Sequence, residues 1–319
     1  MKSPSKVQET DAIFVRNVTK KLGKTEVLKG VDMRIRQGEF FALMGPNGSG
    51  KTTLTSIVAS VRSQTSGEVM IYGKPPEKAK ELIAYIPQDN FSSPLLTGRE
   101  NLMYFARVLG YSRIEAKKKV AEILDKLELT KDADKRVSKY SGGMRKKLEV
   151  GTALFPLTKI FILDEPTTGI DPSGRREFLG MLNDLRKEGT TILMTTHIGS
   201  DADASSRVGL MDKGKIIAED EPEALKERVG LDNVINVETS TKSKKISEAL
   251  ADFNEGKMPL ETETAYRIHS RNTEEVTPEI VRTLDGLGIK VTKIETVKPS
   301  LEDVFFKLTQ KSLQGGEIQ

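Results

Sequence analysis

Residues Gly45-Pro46-Asn47-Gly48-Ser49-Gly50-Lys51-Thr52 carry the spacing G-x-x-x-x-G-K-[ST], and Thr53 follows directly. Glycines at this spacing let successive backbone N–H groups converge on one concavity, and a helix opening at Lys51 adds the positive end of its dipole. Such a nest suits a triphosphate: Lys51 would reach the β- and γ-phosphates and the Thr52 hydroxyl would ligate Mg²⁺. A second chemical element is the apolar run Ile160-Phe161-Ile162-Leu163, which ends in the adjacent carboxylates Asp164 and Glu165. At the carboxyl edge of a parallel sheet, where ligands bind, Asp164 suits the Mg²⁺ shell and Glu165 can polarise an attacking water.

These residues need a strand, a loop and a helix in that order. Phe40 to Leu43 reads as the strand entering the nest, and Leu54, Ile57 and Val58 give the helix after Lys51 one buried face. Ile13 to Val18 and Val31 to Ile35 read as earlier strands, the first followed by the turn-prone Leu22 to Thr25. Between about Asn90 and Tyr140 the pattern is helical, with Val120, Ile123, Leu124 and Leu127 spaced for one face. The strands Ile160 to Leu163 and Thr191 to Thr195, separated by a helix over Arg175 to Lys187, predict a parallel sheet. Past about Val229 the composition shifts to repeated Thr, Glu and Lys. Strands at Val234 to Thr239, Ala265 to His269 and Val291 to Val297, with helices at Ile246 to Phe253 and Pro278 to Leu287, predict a small separate α+β domain.

At 319 residues the chain is long enough for one large domain and a smaller one. It has no cysteine and two histidines, so disulfides, thiolate sites and a histidine-rich metal centre are excluded, and any metal must come on oxygen ligands. The net charge of +4 is small for this length and demands no nucleic-acid partner. No apolar run approaches the roughly 18 residues of a membrane span. The polar Met1 to Thr10 lacks the core of a secretory leader, which predicts a cytoplasmic chain.

Tyr140-Ser141-Gly142-Gly143-Met144, upstream of the strand that ends in Asp164, resembles the signature sequence of the ATP-binding cassette (ABC) family. Ser141, Gly142 and Gly143 would open a helix and present bare N–H groups to an anion. The resemblance implies an ABC cassette over 11–229: a parallel-sheet core, amino-terminal antiparallel strands and a helical subdomain at about 89–145. The α+β domain would then occupy 230–311. It also implies ATP and Mg²⁺ as ligands, with each ATP sandwiched between the nest of one copy and the signature of a second, head-to-tail copy. Gln88 resembles the glutamine that touches Mg²⁺ and water and moves with the helical subdomain. His197 resembles the switch histidine that holds the γ-phosphate, and Gly169-Ile170-Asp171 the loop by which two copies sense each other. Leu22 stands where the family usually has an aromatic against adenine, which leaves base selectivity open; Tyr140 and Met144 replace the more common Leu and Gln without removing an N–H donor.

More narrowly, Leu95 to Leu102 and Pro299 to Phe305 resemble the ATPases of bacterial and archaeal drug and antibiotic exporters. That resemblance implies an integral membrane permease as partner, docked around Phe91, Leu95, Leu96, Leu102 and Phe105, and a location on the inner face of the membrane. Two alternatives are an importer ATPase whose tail binds a regulator and a soluble ABC protein acting on ribosomes or DNA. The single cassette and the lack of a coiled-coil insertion speak against the second.

Overall fold

The computed structural model describes residue 8 and residues 10–155, 158–228, 233–254, 256–270, 272–297 and 299–313, with side chains to 309 in the last stretch. The domain boundary expected at 229/230, and most of the polar leader 1–10, lie outside these residues. The chain divides into two compact units, Met1–Pro222 and Glu223–Gln319.

In the first unit, β1 (Asp11–Leu22) and β2 (Thr25–Arg36) form a hairpin closed by the Leu22 to Thr25 turn, and β3 (Phe40–Met44) leads through the glycine loop into α1 (Lys51–Val58). β4 (Ser66–Ile71) returns to pair with β1, giving an antiparallel sheet ordered β2-β1-β4. Next come β5 (Ile83–Ile86), α2 (Gly98–Val108), α3 (Arg113–Lys126), α4 (Gly142–Gly151) and β6 (Ile160–Asp164). They are followed by α5 (Pro172–Lys187), β7 (Thr191–Thr196), α6 (Gly199–Ala202) and the antiparallel pair β8 (Arg207–Asp212) and β9 (Lys215–Asp220). The main sheet runs β5-β6-β7-β3-β8-β9 and is parallel from β5 to β8. β3, β6 and β7 are buried along their whole length, as strands covered on both faces should be.

The apolar face of α1, Leu54, Ile57 and Val58, packs with Val15 and Ile35 of the antiparallel sheet and Ile162 and Leu193 of the parallel one, so a single core fixes the helix that follows the nest. A separate cluster, including Leu102, Ala106, Val120, Ile123, Leu124, Leu127 and Leu148, binds α2, α3 and α4 into a helical lobe. α2 and α3 both open with a capping box, Thr97 with Glu100 and Ser112 with Glu115.

The second unit contains α7 (Pro222–Arg228), entered at its boundary, β10 (Val234–Thr239), α8 (Lys244–Ala251), β11 (Leu260–Glu261), β12 (Tyr266–His269), α9 (Thr273–Gly286), β13 (Val291–Val297) and α10 (Leu301–Leu313). Its antiparallel sheet runs β11-β12-β10-β13 over a core of Ile235, Val237, Ile246, Leu250, Tyr266, Ile268, Ile280 and Leu284. The fold is thus the expected α/β cassette plus an α+β domain. One helix start needs correction: α9 begins at Thr273, five residues before the expected Pro278, which stands inside it. Pro278 has no N–H to give the Glu274 carbonyl one turn back, but that position is still in the helix's second turn.

Candidate functional site

Gly45 must be glycine for packing: a Cβ there would lie 2.1 Å from the Met211 carbonyl oxygen of β8. Gly48 and Gly50 need it for conformation, with φ of 80° and 110°. The β8–β9 turn is fastened beneath the loop, since the Gly214 N–H donates to the Ser49 carbonyl at 2.9 Å and the Gly214 carbonyl accepts from the Lys29 N–H at 3.0 Å.

Lys51, almost fully buried, donates to the carbonyls of Gly45 at 2.8 Å and Pro46 at 3.1 Å and pairs with Glu165 at 3.2 Å. Thr52 donates from its hydroxyl to Asp164 Oδ1 at 3.1 Å, so nest and carboxylate pair form one polar cluster. His197 Nδ1 stands 3.2 Å from Glu165 Oε2. Since the carboxylate accepts, the ring proton belongs on Nδ1 and Nε2 is left available. Glu165 has φ of 43°, a left-handed backbone that costs a non-glycine residue roughly 1–2 kcal/mol.

What holds that strained backbone is Thr195, which sequence reasoning took only as a strand residue. Thr195 stands directly opposite Asp164 in the β6–β7 register. Its hydroxyl donates to Asp164 Oδ1 at 2.5 Å and accepts from the Glu165 N–H at 2.9 Å. Tyr85 adds a donor to Asp164 Oδ2 at 3.4 Å; burial first, then the Asp164 charge, pushes its phenol above the ordinary value. Behind the site Asp201 is fully buried, accepts from the hydroxyls of Thr167 and Thr196, and faces Arg175 at 3.6 Å. Burial raises its carboxyl above the usual range against the pull of Thr167 and Arg175.

A cleft of about 220 Å³ is lined by Asn47, Gly48, Gly50, Lys51, Thr52 and Thr53 of the nest together with Val27, Gln88 and Glu165. The structure therefore brings the nest, Gln88 and Glu165 to one opening, with Asp164 and His197 bonded behind it. The Ser49 hydroxyl is buried without a hydrogen-bond partner, a donor left over for a ligand oxygen. Ser141 to Gly143 do not line this cleft. Ser141 caps α4, accepting from the Met144 N–H at 3.2 Å; Ser141 and Gly142 are exposed, while Gly143 is buried against Gly174 and Ile170. Gly142 abuts the 169–171 loop, where a Cβ would meet the Gly169 carbonyl oxygen at 3.2 Å. Asp171 caps α5, and the N–H donors of Gly174 and Ser173 hold its carboxyl below the usual range. Leu22 is exposed and is not part of the cleft wall; the aliphatic Val27 is. Of the residues expected at a docking surface, Leu95 is 77% exposed and Phe91 37%, whereas Leu102 is wholly buried in the helical lobe and belongs to its core.

Residues 28–168 match the family model described as "ABC transporter", and residues 221–309 match that described as "ATP-binding protein DrrA1-3-like, C-terminal domain". The daunorubicin resistance ATP-binding protein DrrA2 of Streptomyces coeruleorubidus is 34% identical, over 97% of this chain and 98% of its own. The linearmycin resistance ATP-binding protein LnrL of Bacillus subtilis is 32% identical, over 93% and 98%. Among solved structures, a dimeric ATP-binding cassette in a post-hydrolysis state, bound to ADP and Pi, superimposes with a TM-score of 0.58 at 29% identity, over 66% of this chain and 98% of that one.

Proposed function

Since the chain belongs to the family of ABC transporter ATP-binding proteins, we propose that it hydrolyses ATP to drive export through a separate membrane permease. The observation that carries this reading is the joining of nest and carboxylates: Lys51 lies 3.2 Å from Glu165 and Thr52 3.1 Å from Asp164. Lys51 donates to two loop carbonyls and pairs with Glu165, and a triphosphate in the nest offers it stronger acceptors. The N–H groups of the loop and the α1 terminus cradle the phosphates, and Ser49 donates its spare hydroxyl proton. Glu165, released from Lys51 but held in place through its backbone by Thr195, takes a proton from the attacking water. His197 holds the γ-phosphate from the other side. Thr52, Gln88 and Asp164 are oxygen donors suited to Mg²⁺, which when bound neutralises charge on the phosphates.

The exposed Ser141 and Gly142 at the start of α4 complete the site of a second copy, in a head-to-tail dimer. The dimeric neighbour supports the pairing. Export is supported by the names of the relatives, a Nod factor export ATP-binding protein of Rhizobium meliloti among them at 35% identity over 96% of this chain and 90% of its own. The tail match at 221–309 favours the exporter over an importer with a regulatory tail. No helix among the described residues is long and apolar enough to cross a membrane; in this reading the permease is a separate chain, with this subunit on the membrane's inner face.

The test is Glu165→Gln. Loss of the base should slow hydrolysis by about 10²- to 10⁴-fold with nucleotide binding intact, and gel filtration with ATP should show a dimer. Monomers alone in that experiment would end the sandwich reading.

A further inference from the structure

The polar face of α4 holds three charges that the reaction above does not use. Glu149 is wholly buried, Lys146 is 4% exposed, and Arg145 lies partly buried beside them. All three aim at the strand-to-helix strap 87–93, which begins at Gln88's neighbour Pro87. Glu149 Oε1 accepts from the N–H groups of Phe91 at 3.1 Å and Ser92 at 3.2 Å and from the Ser92 hydroxyl at 2.8 Å. Arg145 donates to the Ser92 hydroxyl at 2.9 Å and to its carbonyl at 2.7 Å. Lys146 pairs with Glu149 at 3.0 Å and donates to the carbonyls of Pro87 and Gln88, each at 3.3 Å. From α2, Asn101 accepts from the Ser93 N–H at 2.8 Å and donates to the Ser93 carbonyl at 3.0 Å.

Burying such a triad is expensive, and an apolar face of the same volume would pack the lobe at least as well. What the charges add is direction, because each bond fixes the backbone of one short segment. We propose that Glu149, with Arg145 and Lys146, forms a clasp that positions Gln88 over the nest and makes it one rigid body with Ser141 at the head of the same helix. Ser141 and Lys146 are five residues apart, about 7.5 Å along the axis. Glu149 is thus a positioning residue, and the proposal rests on the reading of Gln88 as a ligand of metal and water.

The chain has no cysteine, so Asp89→Cys, at an exposed position beside Gln88, accepts a single spin label in the full-length protein. In otherwise native protein the label should show restricted motion; adding Glu149→Ala should free it. Without the label, Glu149→Ala should lower kcat by about 10- to 100-fold, the effect of roughly an ångström of misplacement, with the Kd for ATP within about threefold because the nest is untouched. Glu149→Gln keeps an acceptor oxygen for Phe91 and Ser92 and should recover most of both readouts. If Glu149→Ala does not fold, Ser92→Ala removes the hydroxyl that Glu149 and Arg145 share and should give the same split. A folded variant with native label motion and native kcat overturns the clasp, as does a parallel loss of kcat and ATP affinity. Wild-type protein that binds ATP without hydrolysing it would sink the enzymatic reading instead, while the label motion still decides whether α4 holds the strap.

Discussion

Thr195→Val is the sharpest test of how the carboxylate pair is held. The change removes one hydroxyl and adds one methyl at a position that is fully buried. The Glu165 N–H then loses its acceptor, at about 1–3 kcal/mol for a buried amide, and Asp164 loses a donor worth about 1.5–3 kcal/mol to a charged oxygen. Asp164 keeps Thr52 at 3.1 Å and Tyr85 at 3.4 Å, and the new methyl recovers about 0.8 kcal/mol of burial, so the net loss should be about 3 kcal/mol. For a unit of this size that is a fall in Tm of roughly 6–12 °C. Glu165, whose left-handed backbone has lost its tether, should relax, and kcat should fall by about 10- to 100-fold. The Kd for ATP should hold, since Thr195 does not line the cleft. Thr195→Ser, which keeps the hydroxyl, should restore kcat. Differential scanning fluorimetry and steady-state ATPase assays measure both quantities. A Thr195→Val protein with native Tm and native kcat would refute the tether.

Other consequences can be measured independently. Burial places the Asp201 carboxyl above its ordinary value of 3.8 in the folded chain. The folded state therefore binds its proton more tightly than the unfolded one, and that contribution to stability is present below 3.8 and lost as pH rises through the raised value. Urea unfolding between pH 4 and 8 should show stability falling with pH in the wild type relative to Asp201→Asn, and parallel profiles would contradict this. With Leu22 exposed and Val27 at the cleft, no aromatic residue lines the cleft among the described residues, so kcat/KM for GTP should come within about tenfold of that for ATP; Leu22→Tyr should raise the preference for ATP in the same assay. Gly98→Ala would put a methyl 2.1 Å from the Tyr140 hydroxyl, which donates to the Asp132 carbonyl at 2.8 Å. It should destabilise the helical lobe by about 1–3 kcal/mol, and Tyr140→Phe in the same chain should relieve part of that loss in a double-mutant cycle.

How much of this was legible in the sequence depended on how local the determinant was. The nest, the carboxylates after β6 and the helix opening at Ser141 are encoded within a few consecutive residues, and each stands where its motif demands. β1 and β2 run longer than read because residues toward the turn, such as Lys21 and Glu26, are polar and exposed and carry no apolar pattern. β4, β8 and β9 escaped notice as short strands; β4 buries only Val69 and Ile71, and β9 has no fully buried residue. Thr195 and the α4 clasp were out of reach for a different reason: their partners lie 30 to 59 positions away, and only strand register or helix packing reveals them. Leu102 was assigned to a surface because an amphipathic stretch shows which residues share a side, not which side faces out.

The fastening of the β8–β9 turn beneath Ser49, with Gly45 resting on the Met211 carbonyl, has a mechanical consequence. The loop that wraps the phosphates is tied to this bend by one hydrogen bond and by the close approach at Gly45, so its shape depends on a turn far along the chain. Gly214, at φ of 84°, leaves that bend no room for a side chain: a Cβ there would lie 2.3 Å from the Val27 carbonyl oxygen, and any larger residue would lift the fastening from beneath Ser49.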